Sequence, residues 1–251
     1  MHIDLNGKSA LVTGASRGIG AAIALRLGEA GARVGLHYRS GETEVKDLAQ
    51  RVPGSQIFRA DLEDMQEVRN LFDDAVAAFG GLDIVVNNAG VAVRVDETET
   101  GRAWEEAWDT TLNVNLKSVT LLCRLAVQHF TTRGGGRIIN ISSRAAFRGD
   151  TKEYMDYAAS KGGVVALTRS IARAFGRQGV LAFNVAPGWT RTAMAQDVID
   201  EHGEQYVVDD LALNTLTEPD DVATIVTFLA SGLADHATGS TIDVNAGSYV
   251  H

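Results

Sequence analysis

A glycine-rich segment near the amino terminus constrains the fold of this chain more than any other feature. Ser9–Thr13 is a short apolar strand that runs directly into Gly14-Ala15-Ser16-Arg17-Gly18-Ile19-Gly20. From Gly18 to Ala30 the apolar residues recur at helical spacing, and Gly31 is a typical helix end. A strand, a glycine-rich turn and a helix in this order predict the first unit of an α/β sheet.

The rest of the chain repeats this alternation of strand and helix. The strands are continuous apolar runs, which is typical of strands covered on both faces. We therefore predict a single α/β domain over 1–251, a Rossmann-type doubly wound parallel sheet of about seven strands with helices on both faces. The least regular stretch, 190–217, follows a strand end, where such folds bind ligands, and is predicted to be a substrate lid. The further predicted strands are 33–38, 56–59, 83–87, 137–141, 180–186 and 241–244, and the helices are about 42–51, 64–79, 102–132, 154–177 and 219–230.

Composition argues against several classes of function. The net charge of −9 disfavours a nucleic-acid surface and an anionic membrane as partners. No apolar run reaches the ~18 residues of a membrane span, and no signal peptide is evident, so a cytoplasmic location is expected. The six histidines show no zinc-ligand spacing, and Cys123, the only cysteine, lies in an apolar stretch where a buried, inert thiol is expected. No metal site is predicted.

The glycine turn predicts a dinucleotide site. Gly14, Gly18 and Gly20 have the spacing G-x-x-x-G-x-G, which lets the backbone approach a pyrophosphate at the amino end of the helix. An ordinary strand–helix turn is the alternative, and the strand before and the helix after favour the cofactor. The predicted cofactor residues of this turn are Gly14, Ser16, Arg17, Gly18, Ile19 and Gly20.

The end of the second strand favours NADP(H), with NAD(H) possible. An NAD site usually has an acidic residue there, whereas this strand ends in Arg39 and Ser40, close to Arg17 of the turn. The alternative is that Arg39 is an ordinary solvated strand-end residue. Asp61 and Leu62 follow the third strand, where the adenine would lie, although Asp61 is equally suited to be a helix N-cap.

Tyr157 and Lys161 supply candidate acid–base chemistry. Residues four apart share a helix face, and an ammonium near a phenol is expected to lower the tyrosine pKa from about 10. Ser143, predicted at a strand end, can hydrogen-bond a substrate carbonyl. The alternative for each is an ordinary surface or turn residue.

Six motifs in order give the chain a specific resemblance to the short-chain dehydrogenase/reductase family over nearly its whole length. The resemblance implies that Tyr157 is the general acid, that Ser143 polarises the carbonyl, and that Lys161 lowers the tyrosine pKa and binds ribose. Asn115 would hold a water that links Lys161 to solvent. The motifs are Thr13–Gly20, Asn87–Gly90, Asn115, Ile141–Ser143, Tyr157–Lys161 and Pro187–Thr192.

The resemblance also extends the predicted cofactor site. Asn88 would contact a ribose, Gly90 would pack beside it, and Thr190 and Thr192 would meet the nicotinamide carboxamide or the pyrophosphate. The predicted cofactor site also contains the glycine turn, the strand-end residues and the Tyr157/Lys161 pair. The residues that the resemblance adds are Asn88, Ala89, Gly90, Pro187, Gly188, Thr190 and Thr192.

The chain departs from the family pattern at two places, in the Ser–Tyr spacing and in its ending. Ser143 and Tyr157 are fourteen residues apart where thirteen is common, and Ser143, the second serine after Ile141, is taken as the catalytic one. Tyr154 is not a substitute for Tyr157, because Ala158 follows it at the lysine position. The ending Asp243–Gly247 replaces a commoner double glycine, which is expected to affect subunit contacts more than chemistry.

Within the family, the chain most resembles the 3-oxoacyl-[acyl-carrier-protein] reductase branch. A carrier protein is acidic and needs a basic patch, for which Arg133, Arg173 and Arg177 are candidates. Alternatives are a sugar or secondary-alcohol dehydrogenase acting on a small molecule and, with less support, a cofactor-binding regulator without turnover. The acidic residues of the lid, which would repel a carrier protein at the entrance, are Asp197, Asp200, Glu201, Glu204, Asp209 and Asp210.

Two long helical segments predict self-association. Segments 102–132 and 154–177 carry apolar residues on most sides, and the second has small residues that permit close helix packing. Coverage by neighbouring loops is the alternative. The resemblance implies pairing of these helices across a two-fold axis and a homotetramer.

Overall fold

In a computed structural model, residues 3–96, 98–99 and 101–250 are described, and within them seven strands form one parallel sheet. The strand order is β3-β2-β1-β4-β5-β6-β7. The predicted fold class, a single doubly wound α/β domain, is confirmed. The strands are β1 (Ser9–Val12), β2 (Arg33–Tyr38), β3 (Gln56–Arg59), β4 (Ile84–Asn87), β5 (Gly136–Ile141), β6 (Val180–Pro187) and β7 (Thr241–Val244).

Helices cover both faces of this sheet. Helices α1, α2 and α10 pack on one face, and α3, α5 and α7 on the other, each through an apolar stripe. The helices are α1 (Gly18–Glu29), α2 (Glu42–Arg51), α3 (Met65–Phe79), α4 (Arg102–Leu112), α5 (Ser118–Arg133), α6 (Ala145–Arg148), α7 (Met155–Phe175), α8 (Ala193–His202), α9 (Glu204–Val208) and α10 (Pro219–Ala230).

The strand order reverses between β1 and β4, which creates the crevice in which open α/β sheets bind ligands. The glycine turn leaves the carboxyl end of β1, and Ser143 follows that of β5. Among the described residues, no helix is both long and apolar enough to cross a membrane.

Two predicted segments differ in detail from the structure. The single helix predicted over 102–132 is interrupted by a π-helical turn at Asn113–Lys117, which joins α4 to α5. One extra residue per turn rotates the helix face, a feature that apolar periodicity does not reveal. The stretch predicted as irregular, 190–217, contains α8 and α9, whose short length and acidic composition hide their periodicity.

Candidate active site

The glycine turn forms a cradle at the amino end of α1. Gly14 and Gly18 have φ values of +66° and +56°, a conformation that favours glycine. A Cβ on Gly20 would lie 2.1 Å from the Gly14 carbonyl oxygen, so the turn folds tightly against its own helix. No side chain of the described residues caps α1 at Arg17, which leaves the helix amino end suited to a phosphate.

A hydrogen-bonded clamp fixes this cradle from β4. The Thr13 hydroxyl oxygen accepts from the backbone N–H groups of Asn88 and Ala89, at 2.9 and 3.0 Å. The Asn88 side-chain amide donates to the Thr13 and Gly14 carbonyls, at 2.9 and 3.3 Å. Asn88 therefore supports the turn itself, a contact that the family resemblance, with its ribose role, did not indicate.

His37 is a further support that sequence reasoning missed. Its Nδ1 accepts from the Gly14 N–H at 3.1 Å, and its Nε2 lies 3.1 Å from the Ala60 carbonyl, to which it donates. The side chain is 1% exposed, and burial lowers its pKa from 6.5 to about 4. No sequence signal marks this residue, because its partners come from β1 and the end of β3.

Titration of His37 predicts a loss of stability at acid pH. The unfolded chain takes up this proton near pH 6.5, whereas the folded protein resists it down to about pH 4. The folded state thus loses roughly 3 kcal/mol of unfolding free energy as the pH falls through that window. In denaturant unfolding across this pH range, His37→Asn should lose less unfolding free energy than the wild type. The exposed His236→Asn should keep the wild-type slope, and equal slopes for all three proteins would contradict the assignment.

The predicted strand-end residues gather at the carboxyl ends of β1 and β2. Arg17, Arg39 and Ser40 are all exposed on this rim. The Arg39 guanidinium lies 3.6 Å from Glu63 and 4.0 Å from Asp61. Asp61 accepts the Glu63 N–H at 3.0 Å, and Asp64 provides the cap of α3, so the alternative role of Asp61 as N-cap is wrong. Leu62 is buried.

The loop after β6 faces the cradle from the other side. A Cβ on Gly18 would lie 3.2 Å from the Thr192 methyl carbon, so Thr192 stands directly across the glycine turn. Thr190 is buried and donates to the Gly188 carbonyl at 3.2 Å. Pro187 ends β6, and Gly188 has no room for a side chain beside Asn245. The turn and this loop therefore enclose one crevice.

Ser143, Tyr157 and Lys161 lie together above β5. The Ser143 hydroxyl hydrogen-bonds Tyr157, and Lys161 Nζ is 5.7 Å from the centroid of the tyrosine ring. The Lys161 ammonium donates to the Ile141 carbonyl at 3.0 Å and is almost fully buried. Ser142 points away, accepting from Asn184 at 2.7 Å and donating to the Val185 carbonyl.

Burial shifts the pKa values of both members of the pair. Burial raises the pKa of Tyr157 to about 12, and the hydrogen bond from Ser143 opposes this only in part. Burial also lowers the pKa of Lys161 to about 8. Desolvation therefore outweighs the hydrogen bond from Ser143, and the lowering of the tyrosine pKa by Lys161 stays a prediction.

The π-helical turn carries Asn115 into the same site. Its amide donates to the Val91 carbonyl and its oxygen accepts from the Val91 N–H, both at 2.8 Å. The amide also lies 3.2 Å from the Ser160 hydroxyl. A Cβ on Gly90 would approach both Asn115 and Lys161 to 3.3 Å, so glycine keeps this corner open.

The segment 190–217 is attached to the catalytic loop by ion pairs. Asp210 accepts from Arg144 at 2.5 Å and from Arg148 at 3.0 Å. Arg144 directly follows Ser143 and stacks 5.2 Å from the centroid of the Trp189 ring. Arg144 and Arg148 are four residues apart and therefore share a helix face. This spacing indicates a common acidic partner, and sequence reasoning overlooked it.

Other acidic residues near and within 190–217 also form ion pairs, and residues near the carboxyl terminus contact this segment. Glu201 lies 3.7 Å from Arg94, and Glu204 lies 2.7 Å from Arg191. The Ala246 carbonyl accepts from the Ala212 and Leu213 N–H groups, so the unusual ending contacts the segment 190–217. Among the described residues, no three His, Cys, Asp or Glu side chains gather as a metal site.

Comparison with known proteins agrees with this geometry. Residues 14–249 match the family described as enoyl-(acyl carrier protein) reductase. The chain is 37% identical to the 3-oxoacyl-[acyl-carrier-protein] reductase FabG of Staphylococcus aureus, covering 97% of this chain and 98% of the relative. It is 36% identical to 3beta-hydroxysteroid dehydrogenase 1 of Eggerthella lenta, covering 98% and 95%.

A solved structure shows the same fold with a cofactor. The short chain dehydrogenase of Burkholderia cenocepacia, solved in complex with NADP, is 34% identical and superposes with a TM-score of 0.90. The match covers 97% of this chain and 98% of that one. Motifs, fold and relatives thus agree, and the chain belongs to the short-chain dehydrogenase/reductase family of oxidoreductases.

Proposed function

We propose that the protein reduces a carbonyl to a secondary alcohol with NADPH. The observation that carries the proposal is the Ser143–Tyr157–Lys161 cluster at the carboxyl end of β5, beside the glycine cradle. When bound in the cradle, NADPH would supply the hydride for the carbonyl carbon and would itself be oxidised to NADP⁺. Ser143 donates to the carbonyl oxygen, and Tyr157 gives that oxygen its proton as the C–O double bond becomes single.

Lys161 and Asn115 support this proton transfer. The Lys161 ammonium beneath the tyrosine ring stabilises the phenolate that remains after the proton has left. Asn115 retains a second lone pair on its amide oxygen beside Gly90, which suits a water on a relay from Lys161 to solvent. The complete set of catalytic groups disfavours a regulator without turnover.

The cradle fits an NADP(H) molecule. Gly14, Gly18 and Gly20 open the turn to a pyrophosphate, and the exposed Arg17 and Arg39 stand at the rim where a 2′-phosphate would lie. The NADP-bound relative supports the same choice. Asp61 and Glu63 hold Arg39 in place and would move aside or share it with the phosphate.

Arg39→Asp should shift cofactor preference from NADPH toward NADH. Loss of the arginine–phosphate pair and the new repulsion should weaken NADPH binding roughly tenfold or more. Titrating both cofactors by the fluorescence of the reduced nicotinamide measures this. Arg59→Asp, on the neighbouring strand β3, is the matched control. Tighter binding of NADH than NADPH by the wild type would reject the assignment.

The substrate we favour is a 3-oxoacyl thioester of a carrier protein, as the name of the Staphylococcus relative suggests. One observation favours a small-molecule ketone or alcohol instead. Arg173 lies on α7 roughly 24 Å beyond Tyr157, toward the amino ends of the strands. Arg133 ends α5 at that same edge, so this basic patch does not line the entrance of its own protomer.

A substrate panel decides between these classes. The oxidation of NADPH would be followed with a carrier-bound 3-oxoacyl thioester, the same acyl group on a small thiol, and cyclic and sugar ketones. A carrier reductase prefers the carrier-bound thioester by kcat/KM. Turnover of ketones with no preference for the carrier supports the alternative, and the absence of turnover of every compound contradicts both.

The assembly we propose is a homotetramer, with α5 and α7 at a two-fold interface. The apolar residues of α5 are mostly buried within one protomer, so the support comes from α7, where Ala159 and Ala166 are exposed small residues that permit close packing of a second helix. Light scattering at micromolar concentration should give four times the chain mass, and a stable, fully active monomer would contradict the proposal. The proposed location is the cytoplasm.

A further inference from the structure

The segment 190–217 leaves and rejoins the rest of the fold at one place beyond β6. Thr190 and Thr217 form an isolated parallel bridge, and both residues are buried. The Thr217 N–H also donates to the Trp189 carbonyl at 3.2 Å. The two ends of the segment therefore share one stem, and the position of the chain between them, which includes α8 and α9, depends on its other contacts.

A second attachment holds this segment through Asp210, which follows α9. Its carboxylate accepts from Arg144 at 2.5 Å and from Arg148 at 3.0 Å. The Arg144 side chain is 10% exposed and that of Asp210 is 38% exposed, so the cation is the more buried partner. A nearly buried guanidinium that loses its carboxylate is an uncompensated charge, which makes this ion pair stronger than one on the surface. The guanidinium also lies against the ring of Trp189, beside the stem.

The backbone of Arg144 belongs to the turn that orients Ser143. The Arg144 N–H donates to the Pro187 carbonyl at 3.0 Å. The Ala145 N–H donates to the Ser143 hydroxyl oxygen at 3.1 Å, and the Ala146 N–H donates to the Ser143 carbonyl at 3.0 Å. The hydroxyl that would polarise the substrate is therefore oriented by the same turn that carries the Arg144 side chain.

We propose that Arg144 is a positioning residue, which couples the attachment of segment 190–217 to the orientation of the Ser143 hydroxyl. When Asp210 is attached, the guanidinium is neutralised in its buried site, and the turn holds Ser143 in its hydrogen bond with Tyr157. Without the carboxylate, the guanidinium has to move toward water, and the turn moves with it. The inference rests on the proposed carbonyl reduction, in which Ser143 donates to the substrate oxygen.

Hydrogen exchange tests this coupling without any need for turnover. Asp210→Asn keeps the shape of the side chain and removes its charge. Amide exchange should become faster in peptides from 190–217 and also in peptides that span 143–149. Asp209→Asn is the matched control, because this exposed neighbour accepts from Gln205 of its own segment at 2.6 Å, and it should exchange as the wild type does. Unchanged exchange in 143–149 for Asp210→Asn would overturn the proposal.

Kinetics test the effect on the reaction, with a substrate that the panel identifies. Asp210→Asn should lower kcat by up to about a hundredfold, since a small misplacement of a reacting group has a cost of that order. The NADPH affinity should stay close to that of the wild type, because the glycine cradle is unchanged. Asp210→Glu retains a carboxylate and should recover most of kcat, whereas Asp209→Asn should leave kcat unchanged.

A double-mutant cycle shows whether the effect passes through Ser143. In a Ser143→Ala enzyme, Asp210→Asn should lower kcat little further, because both changes act on one hydroxyl. Losses that multiply, or a loss of NADPH affinity with kcat unchanged, would contradict the coupling. A wild type that reduces no carbonyl compound would instead reject the proposed function, and the exchange measurement would still decide whether Arg144 couples the two segments.

Discussion

Tyr157→Phe is expected to remove nearly all turnover and to leave cofactor binding close to that of the wild type. The ring and its packing remain, whereas the proton donor is lost, and general acid catalysis contributes roughly 10²–10⁴-fold. Steady-state kinetics and an NADPH titration on the same preparation measure both quantities.

Tyr154→Phe is the matched control for this variant. Tyr154 lies three residues earlier, just before α7, and has no lysine one helical turn after it. Its loss of the hydroxyl should change kcat only slightly. A Tyr157→Phe enzyme with substantial residual activity, or a Tyr154→Phe enzyme equally impaired, would exclude Tyr157 as the acid.

Gly20→Ala is expected to damage the cofactor cradle. The new methyl group would lie 2.1 Å from the Gly14 carbonyl oxygen of the turn and 2.5 Å from the side-chain amide nitrogen of Asn88, which clamps the turn. The turn must move by about an ångström to relieve this overlap, and a displacement of that size near a reacting centre can cost about 10²-fold. We expect kcat/KM for NADPH to fall by this order and the cofactor affinity to fall with it.

Gly176→Ala separates this effect from the general cost of replacing a glycine. Gly176 has a φ of −56°, and an added Cβ there meets nothing within 4 Å. This variant should be as stable as the wild type, or more stable by roughly 0.4–1 kcal/mol, with unchanged NADPH kinetics. Equal kinetics for Gly20→Ala and the wild type would contradict the close packing of the turn.

Much of the fold could be predicted because the signals are local. Seven predicted runs became seven strands, and burial on both faces explains the continuous apolar sequence of the central strands β1, β4, β5 and β6, whereas the edge strand β3 is mostly exposed. The glycine turn was readable because backbone geometry at Gly14 and Gly18 depends on the residues themselves. The Tyr157/Lys161 pair was readable because helix geometry aligns residues four apart.

The π-helical turn at Asn113–Lys117 is a feature that local sequence patterns do not predict. Its sequence is compatible with an uninterrupted helix, and the register changes where Asn115 hydrogen-bonds the Val91 backbone on a separate segment. The assignment of Ser143 over Ser142 to the tyrosine has the same origin. Both serines follow β5, but Ser143 hydrogen-bonds Tyr157 of α7 whereas Ser142 accepts from Asn184 of β6.

The sequence by itself determined the order of strands and helices, the glycine cradle and the residue types available for proton transfer, because periodicity and backbone preference act over a few neighbouring positions. Only the tertiary structure decided that His37 supports Gly14, that Asp210 joins the segment 190–217 to Arg144, and that burial raises the pKa of Tyr157. Those properties depend on groups far apart in the chain and on the water that folding removes from around them, which no local pattern encodes.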